Sequence, residues 1–244
     1  MILNIFLTNL CINLFTNGIY YGIMYKKYEL FGFCSKKGMS VMAEKIITIA
    51  RQYGSGGREV GKLLAQRCGF DFYDNNLIAM SAKKIGMDEG RLTEADEKIP
   101  NSLLYTLAVG SANYGGVMTT GFQPINDKLF IAQSEIITDI ANGEKGAVIV
   151  GRCADHVLED FENVTRIYLY ADFDKRVAEI SRRHGISESE AKNRVMKTDK
   201  RRANYYNYYT GKKWGKLENY DIALATDNLS TEEVVDFIMK LAKI

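Results

Sequence analysis

The stretch Arg51-Gln52-Tyr53-Gly54-Ser55-Gly56-Gly57-Arg58-Glu59 sets three glycines between arginines. Glycines let backbone N–H groups close on an anion, and a helix starting just after them adds the partial positive charge of its N-terminus. That chemistry suits a phosphate. The dinucleotide fingerprint G-x-G-x-x-G fails because Glu59 takes the third glycine position, and G-x-x-x-x-G-K-[ST] fails because Gly57 and Arg58 stand where Lys and Ser/Thr belong. A purely structural glycine turn is the competing reading. If the loop does hold phosphates, Arg58 is the displaced cation and Arg51 a lesser one. A guanidinium reaches farther than an ammonium and grips phosphate through two N–H groups. Glu59 and solvent compete for Arg58.

A second concentration of chemistry lies further on. Residues 172–216 hold thirteen Lys or Arg against six Asp or Glu, a local net of +7. Fixed cations at this density stabilise the charge that spreads over a phosphoryl group in transfer. Arg176, Arg182 and Arg183 fall on one predicted helix. Asp199 and Arg202 are three apart on the next, where the carboxylate can orient the guanidinium. Lys192, Arg194 and Lys200 read as a solvated face. Tyr205, Tyr206, Tyr208, Tyr209 and Trp214 interleave with the bases, either as packing or as a base-stacking surface. Packing is favoured, because no RNA-binding signature accompanies them. His156 and His184 read as surface or packing residues.

The elements that must position these groups follow from periodicity. Ile46–Ala50, Phe70–Tyr73, Ala147–Gly151, Arg166–Tyr170 and Asp221–Ala225 are short continuous apolar runs, the mark of strands buried on both faces of a parallel sheet. The first runs through the glycine turn into a helix with the stripe Val60, Leu63, Leu64 and Cys68, closed by Gly69. Ser187 with Glu190 and Ser230 with Glu233 predict capping boxes, and Gly185 a helix stop. Residues 99–127 contain both prolines and read as an irregular, mobile insertion. The pattern predicts one doubly wound α/β domain, and ligands of such sheets bind where the glycine turn lies.

Composition narrows the classes further. The chain has 244 residues, a net charge of +2, four cysteines and two histidines. A disulfide scaffold and a Cys/His zinc site are excluded, and the expected compartment is the cytoplasm. No overall attraction to nucleic acid follows from that charge. Residues 1–41 differ from the rest: the first 25 carry no charge, and the segment as a whole has four lysines and one glutamate. Asn4, Asn9, Asn13 and Asn17 argue against a span in hydrocarbon. The segment is expected to be a dispensable or mis-assigned extension, with a membrane anchor or a packed helix as alternatives, and 42–244 the functional domain.

Gly54-Ser-Gly-Gly57, Gly69-Phe-Asp-Phe-Tyr-Asp74, Gly151-Arg152, Asp199-Lys-Arg-Arg202 with Tyr205-Tyr206, Tyr220-Asp221 and Asp227-Asn228 fall in order along the chain. This series resembles the cytidylate kinase-like family, a branch of the P-loop nucleoside monophosphate kinases, over nearly all of 42–244. The resemblance implies a P-loop fold with a five-stranded parallel sheet covered on both faces and an arginine-rich helical lid. It implies transfer of the γ-phosphoryl of ATP, with Mg²⁺, to a nucleoside monophosphate such as CMP or dCMP. Gly54, Ser55, Gly56, Gly57, Arg58, Glu59 and Arg183 would then hold the donor. Asp74, Arg152, Asp199 and Arg202 would hold the acceptor, with Asp199 near the ribose, although Asp74 equally suits an N-cap. Arg58, Arg152, Arg176 and Arg202 would meet the reacting phosphates, and Asp155 could orient Mg²⁺ through water. Cys153 stands where cytidylate kinases have Asp, which favours a non-nucleotide acceptor as one rival. The missing loop lysine favours another, a nucleotide-binding sensor with little turnover. The partners expected are nucleotides, with a membrane involved only if residues 1–41 form an anchor.

Overall fold

The computed structural model describes residues 45–90, 93 and 124–244. The expectations for residues 1–41, and for most of the irregular stretch 99–127, lie outside the described residues.

The strands are β1 (Ile46–Arg51), β2 (Asp71–Tyr73), β3 (Ala147–Val150), β4 (Val164–Tyr170) and β5 (Ile222–Ala225), all parallel, in the order β2-β3-β1-β4-β5. The helices are α1 (Gly57–Cys68), α2 (Asn76–Ile85), α3 (Ile125–Ala141), α4 (Ala154–Val157), α5 (Phe173–His184), α6 (Glu188–Thr210) and α7 (Thr231–Ala242). Side chains alternate across each strand. Ile47, Ile49, Val148, Val150, Ile167 and Leu169 pack under α1 and α7 with Val60, Leu64, Val235 and Ile238. Ile46, Ala147, Ile149 and Val164 meet Leu77, Ile136, Ile137 and Leu158 on the opposite face. Apolar runs without alternation are therefore what this sheet requires. A separate core of Val177, Ile180, Ala191 and Val195 holds α5 against α6.

Strand ends differ from expectation by a residue or two, each for a local reason. Phe70 lies outside β2 because its N–H donates to Ala65 O, closing α1 through the left-handed Gly69. β3 stops at Val150 because Gly151 turns to φ 82°. β4 starts two residues early, at Val164, because it pairs with Ile46 of β1. The end of the 99–127 stretch is the first turn of α3, entered from Pro124. The Ser230–Glu233 capping box forms in full, while at α6 the Ser187 hydroxyl accepts from Glu190 N–H. Among the described residues no helix is long and apolar enough to cross a membrane.

Candidate active site at the end of the first strand

The turn from β1 into α1 is held from three sides. Gln52 Oε1 accepts from Ala171 N–H after β4, and Thr226 Oγ1 donates to Ser55 O from the end of β5. The Ser55 hydroxyl is buried and donates to Gln52 O at 2.9 Å, so it braces the turn from inside. Gly54 and Gly56 take φ 86° and 76°, a left-handed backbone that a side chain would strain.

The third tie comes from the lid helices. Arg176 on α5 is buried and donates to Ala171 O, to Tyr53 O at 3.1 Å and to Asp199 Oδ2 at 2.6 Å. Asp199 Oδ1 accepts from Tyr53 N–H at 2.8 Å. The expected Asp199–Arg202 pairing is thus replaced by one between Asp199 and Arg176. Helical spacing allowed the local pair, but Arg176 and the Tyr53 amide reach the carboxylate from other elements and occupy both its oxygens. Arg202 instead donates to Arg51 O at 3.2 Å and lies over the Tyr53 ring, 5.5 Å from its centroid.

On the β4–β5 side of the turn is an open groove of about 610 Å³, bounded by Gly54, Gly56, Glu59, Arg183, Thr226 and Asp227 among others. Its wall is an ion-pair chain. Arg183 bridges Glu59 at 2.9 Å and Glu179 at 3.0 Å, and Arg182 reaches Glu179 at 2.9 Å. Burial raises the Glu179 pKa, but Arg182 and Arg183 outweigh that and hold it below the usual carboxylate range. Lys175 binds Asn228 Oδ1 at 2.6 Å across the mouth. Lys175, Glu179 and Thr226 complete the groove although no sequence motif marks them. The spacing of 175, 179 and 183 at i, i+4 and i+8 puts these three on one helix face and could have found two of them.

On the β3 side lies a buried cluster. Arg152 and Cys153 follow Gly151 with φ 60° and 55°, a left-handed run that costs roughly 1–3 kcal/mol per non-glycine residue. Asp74, at the end of β2, is buried between Arg58 (Nε–Oδ2 2.9 Å) and Arg51 (Nη2–Oδ1 3.9 Å). Its side chain faces the arginines, and Asn75 takes the N-cap position of α2. Arg58 is drawn to Asp74, not to Glu59, which belongs to Arg183.

Tyr205 and Tyr206 are buried, Tyr209 stacks on Phe130 at 4.1 Å, and Trp214 meets Tyr168 edge-on at 5.9 Å. These aromatics pack, as expected, although Tyr208 is exposed. His156 pairs with Glu159, and His184 meets the Tyr53 hydroxyl at 3.2 Å.

Asp155 is buried, and its Oδ2 accepts from Tyr206 OH at 2.7 Å. Burial raises its pKa, and burial with the Asp155 charge raises that of Tyr206. So enclosed, it does not suit a direct metal ligand; the part expected of it is through water. Among the described residues no group of three or more His, Cys, Asp or Glu could hold a metal ion.

A parallel 2-3-1-4-5 sheet, a glycine turn at the end of its central strand and a basic helix pair against that turn define a P-loop kinase fold. The chain belongs to the cytidylate kinase-like family, whose model matches residues 46–228. An uncharacterized protein from Eubacterium ventriosum aligns with a TM-score of 0.62 and 27% identity, over 82% of this chain and 99% of its own. A cytidylate kinase from Sulfurisphaera tokodaii is 26% identical over 99 residues, 41% of this chain. A uronate isomerase from Corynebacterium glutamicum is 25% identical over 140 residues, 57% of this chain. The chain spans 54% of the kinase's length and 27% of the isomerase's.

Proposed function

We propose that this protein is an ATP-dependent phosphotransferase whose acceptor is a nucleoside monophosphate, CMP or dCMP first among them, and that residues 42–244 are its catalytic unit. The observation that carries the proposal is the meeting of two unlike sites at one glycine turn. The open groove offers backbone N–H groups and cations to a triphosphate, and the buried arginine cluster lies directly across β1. In the reaction, a phosphate oxygen of the acceptor bonds to the γ-phosphorus while the bond from that phosphorus to the β–γ bridging oxygen breaks, releasing ADP. No side-chain nucleophile is needed, so the protein positions two anions and offsets their repulsion.

The roles follow the two sides. The Gly54–Gly57 turn, Arg183 and Glu59 hold the donor, and Arg58 with Asp74 stands at the acceptor's edge of the turn. Arg152 and Arg202 meet the acceptor or transferring phosphate. Arg176 and Asp199 keep the lid joined to the turn, so their contribution is to orientation. Mg²⁺ would arrive with ATP, held by phosphates and water, as is usual for this ion.

A second reading has its own observation. Cys153 is buried in the strained turn after Arg152, where cytidylate kinases carry an acid, and a thiol there suits an acceptor without a cytosine ring. Measuring ADP release from ATP with a panel of nucleoside monophosphates and small alcohols or acids separates the cases. Stimulation by CMP or dCMP supports the first reading, and stimulation only by non-nucleotides supports the second. ATP binding with no acceptor-stimulated release contradicts both and leaves a nucleotide sensor.

A further inference from the structure

In G-x-x-x-x-G-K-[ST] loops the lysine rides on the residue that is Gly57 here. A Cβ built on Gly57 would lie 2.8 Å from both Cβ and Cγ of Arg51 and 3.7 Å from its Cδ. The stem of Arg51 therefore fills the volume through which a side chain at position 57 would leave the helix. Beyond that point its guanidinium runs across to Gly151, where a Cβ would overlap Nη1. The two glycines form the walls of a passage fitted to this one arginine. Its side chain is 13% exposed, and Asp74 stands 3.9 Å from Nη2 on the far side.

We infer that Arg51 supplies the cation for the donor's β- and γ-phosphates, reaching the lysine's place from the strand instead of from the helix. The inference rests on the donor reading above and names the group that makes the loop work without its lysine. Three observations set Arg51 ahead of Arg58. Arg58 has 63% of its side chain exposed, and it forms the shorter bond to Asp74. Arg51 is enclosed, so its charge acts in a low-dielectric setting. The carbonyl of Arg51 is also fixed by Arg202 Nη1, which brings a second guanidinium to the same strand end.

The test is calorimetric titration of MgATP and of AMP into the wild type, Arg51→Met, Gly57→Lys and the pair Arg51→Ala/Gly57→Lys, with circular dichroism to confirm folding. Arg51→Met keeps most of the stem and removes the charge. It is expected to weaken MgATP at least about tenfold, while AMP, which lacks the two outer phosphates, changes less than about twofold. Gly57→Lys alone is expected to bind poorly or unfold, because Arg51 occupies its path. In the pair the lysine has room, and MgATP affinity is expected within about fivefold of wild type. Wild-type MgATP affinity in Arg51→Met, an equal loss for ATP and AMP, or a folded pair that recovers nothing would each overturn the assignment. A wild type that binds no MgATP would overturn the donor reading itself, a result distinct from those.

Discussion

The two sides of β1 solve the same electrostatic problem in opposite ways. The groove on the β4–β5 side is open, about 610 Å³, and two of the arginines that line it, Arg182 and Arg183, are paired to Glu59 and Glu179 at the surface. The β3 side leaves only about 30 Å³ among Arg51, Arg152, Arg202, Tyr205 and Tyr206. Surface pairs are worth little and exchange readily for a ligand's phosphates, whereas a buried pair is costly to break. The surface-paired arginines of the groove are therefore the ones expected to exchange partners when a ligand arrives, and the enclosed arginines of the cluster are expected to be held in place beforehand. Substitutions of enclosed, paired charges, on either side, should register in stability as well as activity, and those of the surface pairs in affinity alone.

The largest expected effect is from Asp199→Ala, which strands the buried Arg176 guanidinium and frees the Tyr53 amide. Urea denaturation is expected to show a loss of about 3–5 kcal/mol; a loss under about 1 kcal/mol would put this tie in the surface class. Next is Gly151→Ala, which combines a left-handed backbone with overlap on Arg51. Its expected cost is about 1–3 kcal/mol, and adding Arg51→Ala is expected to return part of it, as a double-mutant cycle would measure. Arg183→Ala is expected to change stability by less than about 0.5 kcal/mol while raising the ATP KM several-fold. An effect on stability as large as that of Asp199→Ala would erase the contrast.

The smallest expected effect is a pH dependence. The folded-state pKa of Asp155 is raised by burial. Its contribution to stability is thus full below the ordinary carboxylate pKa of about 3.9 and is lost as pH rises through the folded value. Asp155→Asn keeps an acceptor for Tyr206 and does not ionise. Its melting temperature is expected to gain on wild type as pH rises above about 4, and a flat difference would contradict the buried, raised carboxyl.

Much of this architecture was legible in the chain. The five strands showed because a sheet covered on both faces needs uninterrupted apolar runs, and the glycine turn showed because few other contexts need Gly54, Gly56 and Gly57 together. The site's wiring was less legible. Asp199 and Arg202 are neighbours on a helix, and nothing in the linear pattern shows that Arg176, 23 residues back, competes for the carboxylate. Arg58 is next to the missing lysine in sequence, but only the fold of β1 against α1 lays Arg51 across Gly57. The start of α3 was hidden by Pro124, which reads as a loop until it is seen to open a helix.

The most direct test is a crystal structure with Mg²⁺ and a non-hydrolysable ATP analogue. The β- and γ-phosphates are expected over Gly54–Gly57 with the Arg51 guanidinium on them, and the base in the groove between α5 and the Thr226–Asp227 turn. An analogue bound elsewhere, or one whose phosphates meet Arg58 while Arg51 stays on Asp74, would contradict this placement.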